Sequence, residues 1–309
     1  GLGERVELVG FTDDPVAELD AMLRSGGTAQ FRILPAQVIA IGSTQGFANI
    51  LLIDAGSLDG VRVDGWIETG LEVSPFYDPM LAKVIAAGPT RGAALDLLGE
   101  ALTSSRIDGI VTNLGLLRAL TGHDDLRAAV HSTSTLDVTT DPDPRIDVLV
   151  AGAMTTVQDL PGRIGHWQVG VPPSGPFDPV SLAEANLALG NPEGAPGLEI
   201  TATGPTLRFS DAAVVAVTGA PVEVTVDGVA VPQWEPIDVP AGGLLSIGTI
   251  AGPGLRAYLA VRGGLDVPLY LGSAATFTLG GFGGHAGRAL LAGDVLRPAS
   301  ADAADNPAL

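Results

Sequence analysis

The sequence predicts a mixed α and β first region, followed by a mainly β second region built from short strands. A helical apolar pattern at residues 91–103 indicates a helix in the first region. Short runs rich in β-branched residues, separated by glycine and proline, fill the chain after residue 146. The 42 glycines and 23 prolines among 309 residues are typical of many tight turns. This length suits about two domains of roughly 100–200 residues each.

In the first region, residues 91–103 repeat apolar side chains at three- and four-residue spacing, which predicts an amphipathic helix. A second helix is predicted from Leu114, with Asn113 as its capping residue and Gly122 as its end. Residues 60–68 alternate valine and isoleucine with charged residues, which predicts a strand before both helices. These elements make the first region α+β.

In the second region the predicted strands are residues 146–150, 206–209, 213–218, 222–226, 244–247 and 256–261. Residues 179–189 are expected to form a helix. Asp227 and Gly228 predict a two-residue hairpin turn, since both central positions of such a turn need a positive φ. Short strands at this spacing are typical of a barrel or a sandwich.

The two regions are expected to meet at Asp141-Pro142-Asp143-Pro144, because each proline disfavours helix in the residue before it. The predicted domains are therefore residues 1–140 and 146–298, with 299–309 as a linker. The start at Gly1 resembles a cut edge, which predicts a longer natural polypeptide.

Composition argues against several classes of function. The formal net charge of −19 disfavours nucleic acid as a partner. The apolar runs are too short to span a membrane, and the absence of cysteine excludes disulfides and thiolate chemistry. A cytoplasmic protein is expected. The four histidines lack the spacing of a helical zinc site, so no metal site is predicted.

The densest polar segment is residues 155–163, where Gln158, Asp159 and Arg163 offer groups suited to a small polar substrate. The alternative, which the residues alone favour, is that Asp159 and Arg163 pair across a turn while Thr155 and Thr156 face solvent. A second loop, residues 170–178, presents Ser174 and Asp178. Asp178 is equally suited to cap the following helix, and Ser174 has no identifiable base, so the catalytic residues stay unassigned.

The glycine-rich run at residues 279–285 allows either of two interpretations. Its backbone amides can approach a carboxylate or phosphate closely, or the run can be a turn. Asp78 and Lys83 leave a similar choice between a site pair and solvated groups.

The first region resembles the C-terminal subdomain of biotin carboxylase. Residues 61–70 and 73–85 match its valine-rich strand, its glutamate-containing turn and its Tyr-Asp-Pro-Met-Leu-Ala-Lys segment, and residues 107–114 match its Gly-x-x-Thr-Asn segment. Before residue 60 the match is poor. The family motifs place Tyr77, Asp78, Lys83 and Asn113 at matching positions.

Residues 148–297 resemble the KipA-like family, which includes allophanate hydrolase subunit 2 and the C subunit of 5-oxoprolinase. The matching segments are residues 155–163, 170–178, 190–194, Leu198-Glu199, 204–205, 218–220 and 280–284, the last containing Gly281 and Gly284. The resemblance implies a cyclophilin-like β-barrel, of which this chain carries the N-terminal half.

The order of the two resemblances is that of urea carboxylase and urea amidolyase. It implies part of a biotin-dependent carboxylase that transfers a carboxyl group from carboxybiotin to a urea- or guanidine-like nitrogen. Biotin and Mg-ATP are expected in the full assembly and not on this chain, which should be inactive alone. The implied partners are a biotin carboxylase ATP-grasp half, a biotin carrier domain and a KipI-like carboxyltransferase half. The alternatives are an amide hydrolase subunit of the 5-oxoprolinase or allophanate hydrolase type, and a non-catalytic regulatory subunit.

Overall fold

The computed structural model describes residues 36–42, 48–49, 52–54, 58–68, 71–73 and 80–299. Tyr77, Asp78 and the predicted linker from residue 300 onward lie outside the described residues. In the first part, a three-stranded antiparallel sheet has the order β1-β6-β4. Its strands are β1 (Ala36–Gly42), β4 (Val61–Gly65) and β6 (Met80–Ala87), while β2 (Ala48–Asn49) pairs with β5 (Glu72–Val73) and β3 (Leu52–Asp54) with β7 (Arg106–Asp108).

Two helices of the first part confirm the predictions from periodicity. Helix α1 (Arg91–Ser104) begins at Thr90, whose hydroxyl accepts from the Ala93 N–H at 3.2 Å. Helix α2 (Leu114–Gly122) ends at the predicted glycine, but the side chain of Asn113 makes no capping hydrogen bond. The Thr112 hydroxyl accepts from the Leu114 N–H instead, at 3.3 Å. Two short helices follow, α3 (Asp124–Arg127) and α4 (Ser134–Asp137).

Helix α1 packs onto the sheet strand β6, and α2 packs against α1 and lies beside β1. The buried residues of α1 are the five that the apolar spacing predicts: Ala94, Leu95, Leu98, Ala101 and Leu102. Strand β4 is confirmed, although its side chains are mostly exposed; Val63 is 38% accessible.

The second part consists of two antiparallel sheets packed against one core. The five-stranded sheet has the order β15-β12-β17-β10-β9 and the six-stranded sheet the order β14-β13-β16-β11-β8-β18. Their bounds are β8 (Ile146–Val150), β9 (Met154–Gln158), β10 (Gly197–Thr201), β11 (Thr206–Phe209), β12 (Ala213–Gly219), β13 (Val222–Val226), β14 (Val229–Val231), β15 (Pro236–Val239), β16 (Leu244–Ile250), β17 (Arg256–Val261) and β18 (Val295–Leu296). Val157, Leu198 and Leu259 from one sheet meet Val148, Leu207 and Leu245 from the other.

Within the described residues neither sheet closes on itself, so the partial cyclophilin-like barrel that the resemblance implies is not confirmed. The end strands are β15 and β9 in one sheet and β14 and β18 in the other. Open sandwiches and barrels share short strands at similar spacing, which is why the sequence did not separate them. The predicted hairpin is confirmed, with φ of 50° at Asp227 and 79° at Gly228 between β13 and β14.

Helix α5 (Pro179–Ala188) covers the outer face of the five-stranded sheet. Its Ala185 packs with Ala216 and Ala260 of β12 and β17. Small side chains at these contacts let the helix approach the sheet closely. This packing brings the N-terminus of α5 beside β10 and β17, where one of the two candidate sites lies.

Candidate functional site

The side chains of Asp159 and Arg163 follow β9 and bond one distant segment, residues 270–276, here called the anchored segment. The Asp159 carboxylate accepts from the Ser273 hydroxyl at 2.6 Å and from the Ala274 N–H at 2.7 Å. Since both acceptor oxygens are used, the carboxylate fixes the backbone at Ser273 and Ala274.

Arg163 is the largest fully buried side chain of the described residues, at 1% exposure. Its Nε donates to the Tyr270 carbonyl at 2.8 Å, and its Nη2 donates to Ala275 at 2.8 Å and Ser273 at 3.3 Å. The guanidinium carbon lies 5.0 Å from the centroid of the Phe282 ring. Burial lowers the pKa of Arg163 and the nearby Asp159 charge opposes that shift. The guanidinium thus donates to three backbone carbonyls and contacts one aromatic ring.

The alternative interpretation of this segment is wrong. Thr155 and Thr156 are buried, at 0% and 2% exposure, and do not face solvent. Asp159 and Arg163 bond the anchored segment rather than each other. The reason is that Thr276 and Leu290 cover the second edge of β9, where their N–H groups donate to the carbonyls of Val157 and Thr155. A local alternation pattern does not reveal this contact.

Several buried polar atoms in the described part of the chain lack a hydrogen-bond partner. They include Gln158 Oε1, Arg163 Nη1, Ser174 Oγ and His285 Nε2. The Gln158 Nε2 is occupied, since it donates to the Thr156 hydroxyl at 3.0 Å. Gln158 Oε1 and Arg163 Nη1 therefore retain unused hydrogen-bonding capacity.

The glycine-rich run packs against the anchored segment. Gly283 and Gly284 have φ of 73° and 55°, and an added Cβ would collide with the Ala275 carbonyl and with the Thr276 hydroxyl respectively. The Gly281 N–H donates to Phe277 and the Gly284 N–H to Ala274, both at 2.9 Å. These two amides serve the protein's own carbonyls, so the turn interpretation holds for them and the anion-binding one does not.

The outer side of this run forms one wall of a cleft of about 590 Å³, here called the junction cleft. Tyr270 and Phe282, with ring centroids 4.8 Å apart, supply an aromatic corner. The opposite wall includes Asp108 from the first part of the chain and Arg297 from the second. The cleft therefore depends on how the two parts meet.

His285 lines the junction cleft and lies beside a buried carboxylate that the sequence analysis missed. Its Nε2 is 3.5 Å from Asp294 Oδ1, while Arg288 donates to both oxygens of Asp294 at 2.7 and 2.8 Å. Burial raises the pKa of Asp294, but the hydrogen bonds from Arg288 and the proximity of His285 lower it by more. The net shift of the pKa is therefore downward. The run Arg288 to Asp294 contains no motif that signals this pairing.

The lowered pKa of Asp294 predicts a pH dependence of stability. A carboxylate with a depressed folded-state pKa stabilises the fold above its unfolded pKa of about 3.9 and loses that contribution as the pH falls further. We expect Asp294→Asn to lower the free energy of unfolding at pH 7 by about 2–4 kcal/mol. Calorimetry between pH 7 and pH 3 should show the difference from the wild type shrinking below pH 4. A constant difference would contradict the ionised pair.

A second group of residues, the cap cluster, surrounds the N-terminus of α5. Asp178 is its N-cap, as predicted: one oxygen accepts from the Val180 and Ser181 N–H groups at 3.1 and 3.2 Å, the other from the Ser181 hydroxyl at 2.6 Å. The Ser181 hydroxyl, followed by these backbone donors, lowers the pKa of Asp178. Its carboxylate is thus held ionised by the helix that it caps.

Tyr258 links Asp178 to Glu199 within the cap cluster. Its hydroxyl donates to Glu199 Oε2 at 2.9 Å and accepts from the Asp178 N–H at 2.7 Å. Burial, together with the Glu199 charge, raises the pKa of Tyr258. Arg256 lies 3.4 Å from Glu199 and over the ring of Phe177, at 5.4 Å from its centroid. Phe177, Asp178 and Arg256 line a cleft of about 480 Å³, here called the cap cleft.

We expect Tyr258→Phe to lower the free energy of unfolding by about 1–3 kcal/mol, because it leaves the Asp178 N–H without its acceptor and removes one of the two donors to Glu199 Oε2. Calorimetry of the two proteins at pH 7 measures the difference. Tyr270→Phe is the matched control, since that ring is half exposed and its role described above involves its carbonyl. Equal effects of the two substitutions would argue against the hydroxyl link.

The remaining predicted residues lie elsewhere. Ser174 has a φ of 55° and its carbonyl packs against Gly162, next to Arg163. Lys83 is on β6 opposite Asp64 of β4, far along the chain from either cluster. Glu199 belongs to the cap cluster, while Gly281 and Gly284 belong to the wall of the junction cleft. Among the described residues no group of three or more His, Cys, Asp or Glu side chains could hold a metal ion. Within the same residues no helix is long and apolar enough to cross a bilayer.

Comparison with known proteins assigns a relationship to each part. Residues 44–138 match the family model of the biotin carboxylase C-terminal domain, and residues 169–308 match that of the carboxyltransferase domain, subdomain A and B. Urea amidolyase of Saccharomyces cerevisiae is 44% identical over 80% of this chain. This chain is a homologue of urea amidolyase and urea carboxylase. The crystal structure of Kluyveromyces lactis urea carboxylase covers 86% of the chain, with a TM-score of 0.75 and 39% identity.

Each of these relatives is much longer than the region that it shares with this chain. The chain spans 13% of the S. cerevisiae urea amidolyase and 24% of the K. lactis urea carboxylase chain. The C subunit of 5-oxoprolinase from Escherichia coli is 42% identical over 49% of this chain and 48% of its own length. The similarity to urea amidolyase, unlike that to the 5-oxoprolinase protein, extends over most of the chain.

Proposed function

We propose that this chain is part of a biotin-dependent carboxylase that transfers a carboxyl group to a urea- or guanidine-like nitrogen, in a reaction driven by ATP. The observation that carries the proposal is the order of the two matched families along one chain, biotin carboxylase first and carboxyltransferase second. Continuous similarity to urea amidolyase over 80% of the chain supports the same order.

In this proposal other parts of the assembly contribute the cofactor chemistry. Biotin, when bound to its carrier domain, carries the carboxyl group, and a biotin carboxylase ATP-grasp half uses Mg-ATP to load it. A KipI-like carboxyltransferase half completes the site at which the carboxyl group is transferred. A cytoplasmic location belongs to the same proposal.

For the substrate site, the five residues singled out from the sequence fall into three groups. Asp159 and Arg163 hold the anchored segment and are proposed as positioning residues for the wall of the junction cleft. Gln158 and Ser174 are proposed to bond an amide-like ligand; each has a buried polar atom without a partner, and neither lines the junction cleft or the cap cleft. Asp178 lines the cap cleft.

Two finer points of the architecture belong to the proposal as well. The proposed domains are residues 1–140 and 146–298, with a linker from 299. The proposed boundary lies between the two matched family regions, which end at 138 and begin at 169, while the second region extends to 308 and overlaps the proposed linker. A cyclophilin-like barrel is proposed to close only when strands from further carboxyltransferase sequence or a partner pair with the end strand β14.

A second candidate function rests on the similarity to the C subunit of 5-oxoprolinase over half of the chain. It is an amide hydrolase subunit of the 5-oxoprolinase or allophanate hydrolase type, working with a KipI-like partner. A non-catalytic regulatory subunit is the third possibility, but no observation on the described residues favours it.

The experiment is an assay of the native polypeptide, isolated intact from its source with its associated proteins. We expect ATP- and bicarbonate-dependent carboxylation of urea or guanidine, measured with labelled bicarbonate and abolished by avidin. ATP-dependent hydrolysis of 5-oxoproline that avidin leaves unchanged would instead select the second candidate. Absence of both activities in a preparation that retains its partners would support the regulatory subunit.

A further inference from the structure

The two parts of the chain are joined by two arginines that cross between them. Arg106 of β7 donates from Nη1 to Asp266 Oδ1 and from Nη2 to the Asp266 carbonyl, both at 2.9 Å. In the opposite direction, Arg297 donates to Asp108 Oδ1 and to the Ile107 carbonyl, both at 3.1 Å. Each arginine thus donates to one carboxylate and to one backbone carbonyl of the other part.

Asp108 connects the two arginines into one network. Its Oδ2 accepts from Arg106 Nε at 2.5 Å while its Oδ1 accepts from Arg297. The Asp266 N–H also donates to the Arg297 carbonyl at 2.8 Å, which ties the two second-part residues to each other. The side chains of Arg106, Arg297 and Asp108 are mostly buried, so water and salt screen their pairing less than that of an exposed pair.

The connecting segment, residues 141–144, takes part in the same network. Asp143 Oδ2 accepts from Arg118 of α2 at 2.5 Å and from Arg297 at 3.4 Å. Arg118 also donates to the carbonyls of Leu102 and Ser105 at 2.8 and 3.0 Å, so it is itself fixed to the end of α1. The segment therefore lies bound against the helices of the first part.

Gly115 of α2 shows how closely this segment approaches. A Cβ at this helical position would collide with the carboxylate of Asp141 and lie 2.7 Å from Cγ of Asp143. The Asp141 side chain in turn accepts from the Asp143 N–H at 3.0 Å, which shapes the segment as a local turn. A connecting segment that did not pack against α2 would leave room for a side chain at position 115.

We propose that these contacts form a rigid ionic joint, in which Arg106, Arg118 and Arg297 with Asp108, Asp143 and Asp266 hold the two parts as one body. In this joint, Asp266 and Arg297 of the second part contact Arg106 and Asp108 of the first part. Because Asp108 and Arg297 also line the junction cleft, the joint fixes the shape of that cleft. Any movement between the distant centres of the assembly must then occur at other connections.

The test measures the distance between the two parts in the full chain. The sequence contains no cysteine, so spin labels attach only at introduced Glu100→Cys in α1 and Glu223→Cys in β13, both exposed. Pulsed dipolar spectroscopy should give one narrow distance distribution. Adding Arg106→Ala with Arg297→Ala should widen it at least twofold. A matched control, Arg127→Ala, removes the ion pair with Asp96 that lies within the first part and should leave the width unchanged.

Circular dichroism of each labelled protein checks that both parts remain folded. If the double variant does not fold, Arg297→Lys, which retains the charge but loses the two-pronged contact, replaces it, with a smaller widening expected. A broad distribution in the parent protein, or a width that neither variant changes, would overturn the joint. The result is independent of the proposed carboxylase activity, since no substrate or cofactor takes part.

Discussion

Arg163→Ala should lower the free energy of unfolding by about 3–5 kcal/mol, one of the largest effects of any single substitution in the second part. The change removes donors from three carbonyls in the anchored segment, and it leaves Phe282 without the cation that lies over its ring. Buried carbonyls without a donor cost free energy, because they have lost water and gained no partner. Scanning calorimetry measures the change and avoids urea and guanidinium, which resemble the proposed substrate.

Two further variants separate this effect from simple loss of charge. Arg163→Lys keeps the charge but cannot reach several carbonyls at once. It should therefore lower the free energy of unfolding by a large fraction of the loss that Arg163→Ala causes. Arg208→Ala on the exposed side of β11 is the matched control and should change stability by less than about 0.5 kcal/mol. If Arg163→Ala and Arg208→Ala proved equally mild, Arg163 would not be the anchor of this segment.

Gly283→Ala is expected to lower the free energy of unfolding by about 2–4 kcal/mol and to displace the wall of the junction cleft. Its φ of 73° disfavours any side chain, and the new methyl group would collide with the Ala275 carbonyl and approach the Arg163 guanidinium. Calorimetry measures the stability, and a crystal structure of the variant would show the position of the wall.

Gly281→Ala is the matched control, because its φ of 68° is similar while nothing lies within 4 Å of the added methyl group. It should show only the conformational cost of a left-handed alanine, about 1–2 kcal/mol. The difference between the two substitutions therefore isolates the close packing at Gly283. Identical losses would mean that the wall has room for a methyl group and is not tightly packed.

Local sequence patterns predicted the elements that depend mainly on interactions between residues close together in the chain. The helix α1 follows its apolar spacing to within one residue, and the hairpin at Asp227 and Gly228 follows from turn chemistry. Strand β10, by contrast, was not predicted. It lies between β17 and β9 and is buried along most of its length, so no alternation marks it, and a proline and a glycine stand at its start. Closure of the sheets depends on pairing between distant strands, which no local pattern encodes.

The sequence predicted several residues of the candidate site but not the contacts that those residues make. Asp178 as a helix cap follows from local sequence, and the structure confirms it. The partners of Asp159 and Arg163, more than 100 residues away at 270–275, could not be found from spacing. Tyr258, Arg256 and Asp294 were missed for the same reason, since each acquires its role from a contact between separate elements.

The most direct test of the proposed carboxylase is the intact mass of the native polypeptide that contains this sequence, together with a streptavidin blot for bound biotin. The proposal predicts a biotin-positive band much heavier than the 31.2 kDa of these 309 residues. A biotin-negative band near 31.2 kDa would contradict it and would favour a protein that acts without biotin.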